Sequence, residues 1–278
     1  MADPRPIGVF DSGVGGLTVA RALMDLLPDE QIVYLGDTAR GPYGPLPQPT
    51  VRDYTRQDVD WLITRDVKMV VAACNTATAA ALEVDPLRFD RPVVGVIEPA
   101  VETAIRATRS RRVGVIGTEG TITSRSYDRA VARIGGEATK LFSQACPRFV
   151  TLVEEGRTTD PEVLEVARAY LAPLVAAQVD TLILGCTHYP LLTGVISYVM
   201  GPDVVLVSSA ETCARSVFAQ LIDHRLLAHH AGSTPGTVDH RFASTGDPAT
   251  FARLARRFLG PRLSDSEVLA ASDVATSS

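Results

Sequence analysis

Two cysteines in this 278-residue chain follow apolar runs in the same way. Cys74 lies in VVAACNTATAA (70–80), and Cys186 lies in LILGCTHYPLL (182–192). A free thiol has a pKa of about 8.5, so it can act as a base or an acid near neutral pH. Two such groups on opposite sides of one carbon suit a reaction that removes a proton from one face and returns one to the other. The pair therefore favours racemisation or epimerisation, whereas either cysteine alone is typical of an inert, buried thiol.

Each thiol has a candidate partner that could help it exchange its proton. His188 follows Cys186 by two residues, and Asp11 ends the first apolar run, from which it could assist Cys74. A histidine near a strand end is also commonly a hydrogen-bonded structural residue. His188 lacks a nearby second ligand at metal-binding spacing, and both thiols stand alone in their segments, so the sequence predicts no metal site.

Short apolar runs alternate with longer amphipathic stretches along the chain. The runs are rich in Val and Ile and nearly continuous in hydrophobicity, which is typical of parallel strands buried on both faces. The alternation predicts an α/β fold with mostly parallel sheets. The predicted strands are 7–10, 31–35, 68–73, 92–97, 112–116, 181–185 and 204–207. The predicted helices include 16–27, 50–65, 99–109, 161–177 and 210–227.

The two halves of the chain resemble each other. Residues 6–23 and 112–131 each predict a strand, a glycine-rich turn and a helix, and each is followed by an apolar run that ends in cysteine. The offset between the copies is roughly 110 residues, which indicates an internal repeat. We therefore expect two similar domains related by a pseudo-twofold axis, with a small-molecule site in the cleft between them.

The repeat also predicts where the domains begin and end. The first domain is expected to comprise 1–98 plus about 209–262, and the second 99–208. Residues 240–260 predict a strand, a turn and a helix that pack back on the first domain. Two segments rich in Ala, Ser, Gly and Asp predict a loop at 229–238 and a disordered tail at 263–278.

Several predicted strands end in small polar residues, most of which lead into a helix. Ligands of parallel sheets bind at the carboxyl ends of the strands, and helix N-termini bind carboxylate or phosphate. Any one of these Ser or Thr residues could simply cap its helix, but several together favour an anionic ligand. The strand ends are Asp11-Ser12-Gly13, Gly36-Asp37-Thr38, Cys74-Asn75-Thr76, Gly117-Thr118 and Cys186-Thr187-His188.

The first glycine turn has a second interpretation. Gly13-Val14-Gly15 after a strand, with Asp37 about twenty residues further on, resembles a dinucleotide-binding fingerprint. Thr18 occupies the third glycine position, however, and Asp11 would put a negative charge near a pyrophosphate. The sequence therefore favours an acid/base site over a dinucleotide-binding site.

The segment GPYGPLPQP (41–49) is too rich in Pro and Gly for a helix or a strand. It follows a strand end, so it is either a rigid loop that contacts the ligand or a plain connector.

Composition bears on location and partners. The net charge of −5 and the absence of a basic stripe argue against direct nucleic-acid binding. The sequence contains no apolar run long enough to cross a membrane, and its start lacks a signal-peptide pattern, so we expect a cytoplasmic protein with reduced thiols. On that basis Cys146 and Cys213 are predicted to be structural.

The segments that contain the polar strand ends listed above resemble the cofactor-independent glutamate racemases of bacterial cell-wall synthesis. The resemblance covers about residues 6–260 and contains seven motifs in the family's order. They are GVFDSGVGGLTV, YLGDTARGPYG, VAACNTAT, VGVIEPA, GVIGTEGTITSRSY, LVEEG and LILGCTHYPLL.

The resemblance implies roles for individual residues. Cys74 and Cys186 would be the proton-transferring pair, with Asp11 assisting the first and His188 the second. Glu154 would be a supporting acid. The implied substrate contacts are Asp11, Ser12, Tyr43, Gly44, Asn75, Thr76, Thr118, Thr121, Thr187 and His188.

The resemblance also implies an activity and partners. The protein would interconvert L- and D-glutamate without a cofactor, supply D-glutamate for peptidoglycan, and form a homodimer. A racemase of aspartate is the nearest alternative, but Asp11-Ser12 and His188 favour glutamate. Some members of the family are reported to bind DNA gyrase, which this sequence neither supports nor excludes.

Overall fold

The computed structural model describes residues 3–83, 86–228, 238–260 and 268–274, and these residues form two parallel sheets. The first sheet has the strand order β10-β9-β2-β1-β3-β4, and the second has the order β6-β5-β7-β8. The strands are β1 (Ile7–Asp11), β2 (Ile32–Gly36), β3 (Met69–Ala72), β4 (Val93–Gly95), β5 (Arg112–Gly117), β6 (Lys140–Ala145), β7 (Thr181–Gly185), β8 (Val205–Ser208), β9 (Arg241–Ser244) and β10 (Val268–Ala270).

Helices connect most of these strands, as the parallel pairing requires. They are α1 (Leu17–Leu26), α2 (Gln48–Ile63), α3 (Asn75–Ala81), α4 (Ile97–Ala107), α5 (Glu119–Thr123), α6 (Ser126–Gly135), α7 (Arg148–Glu154), α8 (Pro161–Ala176), α9 (Thr193–Met200), α10 (Ser209–Asp223) and α11 (Pro248–Leu259). A short 3₁₀ turn, Tyr189–Leu192, precedes α9. No helix among the described residues is long and apolar enough to span a bilayer.

The internal repeat appears in the strand order. Four strands of the first sheet, β2-β1-β3-β4, follow the same order as β6-β5-β7-β8 in the second. Cys74 lies two residues beyond β3, and Cys186 directly follows β7. The two halves are therefore similar α/β units, and the two thiols occupy corresponding strand ends.

The central strands are apolar because helices cover both of their faces. Every residue of β1, β2, β3 and β7 is buried, which explains their nearly continuous hydrophobicity. The edge strand β6, KLFSQA, is only partly buried. Because an exposed edge does not need an apolar run, the hydrophobic pattern did not predict this strand.

The C-terminal part of the chain extends the first sheet. As expected from the sequence, β9 and α11 pack on the first unit, with β9 beside β2. The expectation of a disordered tail over 263–278 is wrong for 268–274, because β10 pairs with β9, and Ala271 and Val274 are buried against the first sheet. Most of the predicted loop at 229–238 lies outside the described residues.

Two helices contact both halves of the molecule. The helix α10 packs on α1 and β4 of the first unit and on β7 and β8 of the second, and α4 contacts α3 as well as α6 and β7. Residues 98 and 209 lie within these shared helices, so the domain boundaries near them stay predictions.

Candidate functional site

The carboxyl ends of the two sheets surround a cavity of about 210 Å³ that both Cys74 and Cys186 line. Strand register explains part of this arrangement. Phe10 of β1 pairs with Ala72 of β3, so the chain beyond β3, which contains Cys74, continues beside the end of β1. In the second sheet, Gly117 of β5 pairs with Gly185 of β7, so Cys186 lies beside the end of β5. Eight further predicted site residues line the same cavity: Asp11, Ser12, Gly44, Asn75, Thr76, Thr118, Thr187 and His188.

Cys74 is a protonated thiol in this environment. It caps α3 by accepting a hydrogen bond from Ala77 N at 3.4 Å, and its thiol donates to Ser12 Oγ at 3.6 Å. Burial, followed by the charge of Asp11, raises the pKa of Cys74 to about 12. At neutral pH, Cys74 can therefore give up a proton.

Asp11 is a buried carboxyl group at the end of β1. Its Oδ2 accepts a hydrogen bond from Gly13 N at 3.0 Å. Burial raises its pKa, and the positive charge of His188 opposes that rise. Asp11 therefore supplies a carboxyl group on the Cys74 side of the cavity.

The surroundings of Cys186 are different, because a histidine and an acid lie beside it. His188 Nδ1 lies 3.9 Å from Cys186 Sγ, and His188 Nε2 lies 2.9 Å from Glu154 Oε1. Burial lowers the pKa of His188, but hydrogen bonds to Cys186 and Glu154 outweigh burial and raise it to about 10. An imidazolium therefore lies next to Cys186 at neutral pH, and such a cation stabilises a thiolate.

The first glycine turn is packed against the second half of the molecule. A Cβ atom on Gly15 would lie 2.4 Å from the ring of His188 and from Thr187 Oγ1. Thr18 Oγ1 also donates to the carbonyl of Thr187 at 3.0 Å. Because protein atoms fill the space beside this turn, the geometry does not favour a pyrophosphate there.

Three threonines join the two halves at the cavity. Thr76 Oγ1 lies 2.9 Å from Thr118 Oγ1 and 3.2 Å from Thr121 Oγ1. Thr118 caps α5 by accepting from Thr121 N at 3.2 Å. Thr76 and Thr118 line the cavity, whereas Thr121 lies behind them and supports them.

Asn75 carries an unsatisfied donor beside the cavity. Its Oδ1 accepts a hydrogen bond from Tyr127 OH at 2.7 Å, while its buried Nδ2 has no partner among the described residues. A buried donor without an acceptor is costly, which indicates a ligand with an acceptor oxygen. Tyr127 ends the motif GVIGTEGTITSRSY, but its contact with Asn75 was not predictable from the sequence, because that contact joins the two halves.

The loop that follows β2 contributes backbone and proline rather than the tyrosine side chain. The Tyr43 hydroxyl donates to the buried carboxylates of Asp37 and Asp58, and Tyr43 does not line the cavity. Gly44 does line it, and its carbonyl accepts from Gly120 N at 2.9 Å. The side chain of Tyr43 therefore supports the loop, and α2 already begins at Gln48, within the predicted loop 41–49.

The other two cysteines are structural thiols, as predicted. Cys146 and Cys213 are buried in the largest apolar cluster and do not line the cavity. Burial raises the pKa of Cys213 to about 12 and also raises that of Cys146. Within the described ranges, no group of three or more His, Cys, Asp or Glu residues could hold a metal ion.

A larger cavity of about 610 Å³ lies between α1 and α10. Its charged groups include Arg21 and Glu211, and no cysteine lines it. It therefore lacks the acid/base pair that marks the smaller cavity.

Known proteins resemble this chain over most of its length. Residues 17–217 match the family described as Asp/Glu/Hydantoin racemase. A glutamate racemase of Beutenbergia cavernae is 54% identical over 268 residues, which cover 94% of this chain and 91% of that protein. The crystal structure of a glutamate racemase from Bacillus anthracis superposes with a TM-score of 0.89 at 40% identity and covers 96% of this chain and 97% of its own. A glutamate racemase structure from Francisella tularensis in complex with D-glutamate superposes with a TM-score of 0.86 at 33% identity. The match covers 97% of this chain and 98% of that chain.

Proposed function

Because the chain belongs to the Asp/Glu/Hydantoin racemase family and, within it, to the glutamate racemases, we propose that Cys74 and Cys186 interconvert L- and D-glutamate by a two-thiol mechanism. The observation that carries this proposal is the single cavity lined by both thiols. Each thiol comes from the corresponding strand end of one of two similar units, so a carbon bound between them faces one thiol from each half.

The polar groups around the cavity suit an amino-dicarboxylic acid. The free Nδ2 of Asn75 and the hydroxyls of Thr76 and Thr118 can hold carboxylate oxygens. The N-terminus of α3 adds a positive dipole end. Asp11 is positioned to meet the substrate ammonium. The D-glutamate bound in the Francisella tularensis relative supports this substrate class.

The proton steps begin from two unequal thiols. Cys186, beside the His188 imidazolium, acts as the thiolate base and takes the proton from Cα of one enantiomer. Cys74, whose pKa is about 12, gives its proton to the opposite face. The product leaves with inverted configuration, while Cys186 holds the abstracted proton and Cys74 is a thiolate. Exchange with solvent must then remove the proton from Cys186 and return one to Cys74 before a second molecule of the same enantiomer reacts. The opposite enantiomer reacts with the product form of the enzyme by the same steps in reverse.

The carbanion-like transition state must be stabilised by groups that are already oriented. The Asn75 amide, the hydroxyls of Thr76 and Thr118 and the cation at His188 belong to residues that line the cavity. Preorganised donors of this kind contribute about 3–4 kcal/mol each in well-studied enzymes. We assign Glu154 the role of supporting acid, because it holds His188 Nε2 and is 40% exposed, which connects the buried histidine with solvent.

The proposal is tested by removing each thiol in turn. Cys74→Ala and Cys186→Ala should each lower kcat by about a thousandfold or more, because each removes an obligatory proton carrier. Circular dichroism of pure protein with L- or D-glutamate measures the conversion, and aspartate serves as the comparison substrate. In deuterated water the wild-type protein should incorporate deuterium at Cα without added cofactor.

Cys146→Ala and Cys213→Ala are matched controls, since both remove a buried thiol outside the cavity. They should keep most of the activity. Full activity in either the Cys74 or the Cys186 variant would refute the mechanism.

We also propose a cellular setting for this reaction. The enzyme would work in the cytoplasm as a homodimer and supply D-glutamate for peptidoglycan, as the family resemblance implies. Light scattering on the pure protein tests the dimer. We do not propose an interaction with DNA gyrase.

A further inference from the structure

Tyr127 places a buried phenol between the two cysteine segments. It belongs to α6 in the second unit and is 1% exposed. Its hydroxyl donates to Oδ1 of Asn75 at 2.7 Å. Its ring lies against Gly185, where an added Cβ would be 3.2 Å from Cε2 of Tyr127. One side chain therefore contacts the residue after Cys74 and the residue before Cys186.

The phenol also determines which way the Asn75 amide faces. With Oδ1 bound to the phenol, the NH₂ group is left for another acceptor, and Nδ2 has none among the described residues. If the amide were reversed, Nδ2 would donate to the phenol oxygen, and the phenol hydrogen would be buried without an acceptor. Such an unpaired buried hydroxyl is unfavourable, so the observed orientation is preferred.

The phenol stays protonated over the working pH range. Burial, followed by the charges of Glu83 and Cys186, raises its pKa above the ordinary value. Tyr127 is therefore a permanent donor, and the orientation that it imposes on Asn75 does not change with pH.

We propose that Tyr127 is a positioning residue that fixes the orientation of the Asn75 amide, so that its NH₂ group is available to a carboxylate oxygen of the substrate. The inference rests on the proposed function, because it assumes that an amino-dicarboxylic acid binds between the two thiols. Tyr127 acts through Asn75 and does not itself line the cavity.

The test is Tyr127→Phe, which keeps the ring against Gly185 and removes only the hydroxyl. The Asn75 amide then loses its fixed orientation, and binding weakens equally in the ground state and the transition state. We expect KM for glutamate to rise about tenfold while kcat changes less than about threefold. The inhibition constant of glutarate, a dicarboxylate without an ammonium group, should rise by a similar factor. An unchanged KM and an unchanged inhibition constant would overturn the inference.

A double-mutant cycle separates positioning from a general structural effect. If Tyr127 acts through Asn75, then Tyr127→Phe should raise KM in the wild-type background but not in the Asn75→Ala background. Equal increases in both backgrounds would overturn the inference. If Asn75→Ala does not fold, Asn75→Ser completes the cycle.

Tyr189→Phe is the matched control. Tyr189 is also a fully buried tyrosine, and its hydroxyl donates at 2.9 Å to the carbonyl of Cys146, which does not line the cavity. The Tyr189→Phe variant should lower the thermal midpoint of unfolding about as much as Tyr127→Phe does and should leave KM unchanged. A rise in KM equal to that of Tyr127→Phe would overturn the inference. The Cys74→Ala and Cys186→Ala proteins test the proposed function separately from the role of Tyr127. Failure of the two-thiol mechanism can therefore be distinguished from failure of the positioning proposal.

Discussion

At the scale of single residues, the two thiols occupy unlike surroundings. The sequence predicted a difference, since His188 follows Cys186 closely whereas Asp11 is distant in sequence from Cys74. The structure adds the partner that fixes His188: its Nε2 lies 2.9 Å from Glu154 Oε1. The resemblance alone named Glu154, and only the fold explains its effect, because α7 brings the acid to the far side of the imidazole.

The charge on His188 predicts a dependence of stability on pH. The pKa of His188 is about 10 in the folded protein and about 6.5 in an unfolded chain. Because the folded value is raised, the stabilisation is fully present below pH 6.5 and is lost as the pH rises through 10. We expect the free energy of unfolding of the wild type, relative to His188→Gln, to fall as the pH rises through the folded pKa of His188.

Urea unfolding at each pH measures this difference. Glu154→Gln should show a smaller pH-dependent loss than the wild type, because its histidine lacks one of the two groups that raise the pKa. A constant difference between wild type and His188→Gln across the whole pH range would contradict a charged His188.

At the scale of elements, turns and helix starts bring the site together. The strand, glycine turn and helix at 6–23 were predictable from local pattern, and so was a threonine cap at Thr118, whereas the cap at Cys74 was not, because cysteine is not a usual cap residue. The contacts across the two halves were not, because they join residues far apart in sequence. Tyr127 with Asn75 is one example. The edge strand β6 shows a second limit of prediction from local pattern. It is only partly buried and contains Lys140, Ser143 and Gln144, so it lacks a continuous apolar run.

The close packing at Gly15 predicts that this turn tolerates no side chain. In Gly15→Ala, the new Cβ would lie 2.4 Å from the His188 ring, so the ring or the turn must move. Misplacement by about 1 Å can cost a hundredfold in rate, so we expect kcat/KM to fall at least about a hundredfold. Steady-state kinetics on the folded variant measures the loss.

Gly194→Ala is the control for this substitution. Gly194 lies in α9, and an added Cβ there would meet nothing within 4 Å. Activity should be unchanged, and stability should stay the same or rise by up to about 1 kcal/mol. Full activity in Gly15→Ala would mean that His188 can move without affecting the reaction.

At the scale of the whole molecule, the repeat organises the site and the C-terminal strands stabilise one unit. The strand order β2-β1-β3-β4 repeats as β6-β5-β7-β8. The presence of two similar units was predictable because each copy keeps its strand, turn and cysteine, but the strand order was not, because β6 was missed. The extension of the first sheet by β10 was also not predictable, since its segment is short and follows a polar stretch. Within the first sheet, β10 is separated from β1 by β9 and β2, so the tail can affect stability without contacting the site.

This separation predicts that the tail can be weakened without loss of activity. Val274 is 1% exposed in the apolar cluster that also contains Trp61, and Trp61 Nε1 donates to Asp273 at 2.9 Å. Val274→Ala removes two buried methyl groups, so we expect the free energy of unfolding to fall by about 2 kcal/mol. Leu269→Ala is the control, because Leu269 is 61% exposed on β10 and its loss should change stability by less than about 0.5 kcal/mol. Chemical denaturation measures both, with kcat/KM unchanged in each. An equal effect of the two substitutions on stability, or a loss of kcat/KM in Val274→Ala, would show that the tail does not act as a separate stabilising element of the first sheet.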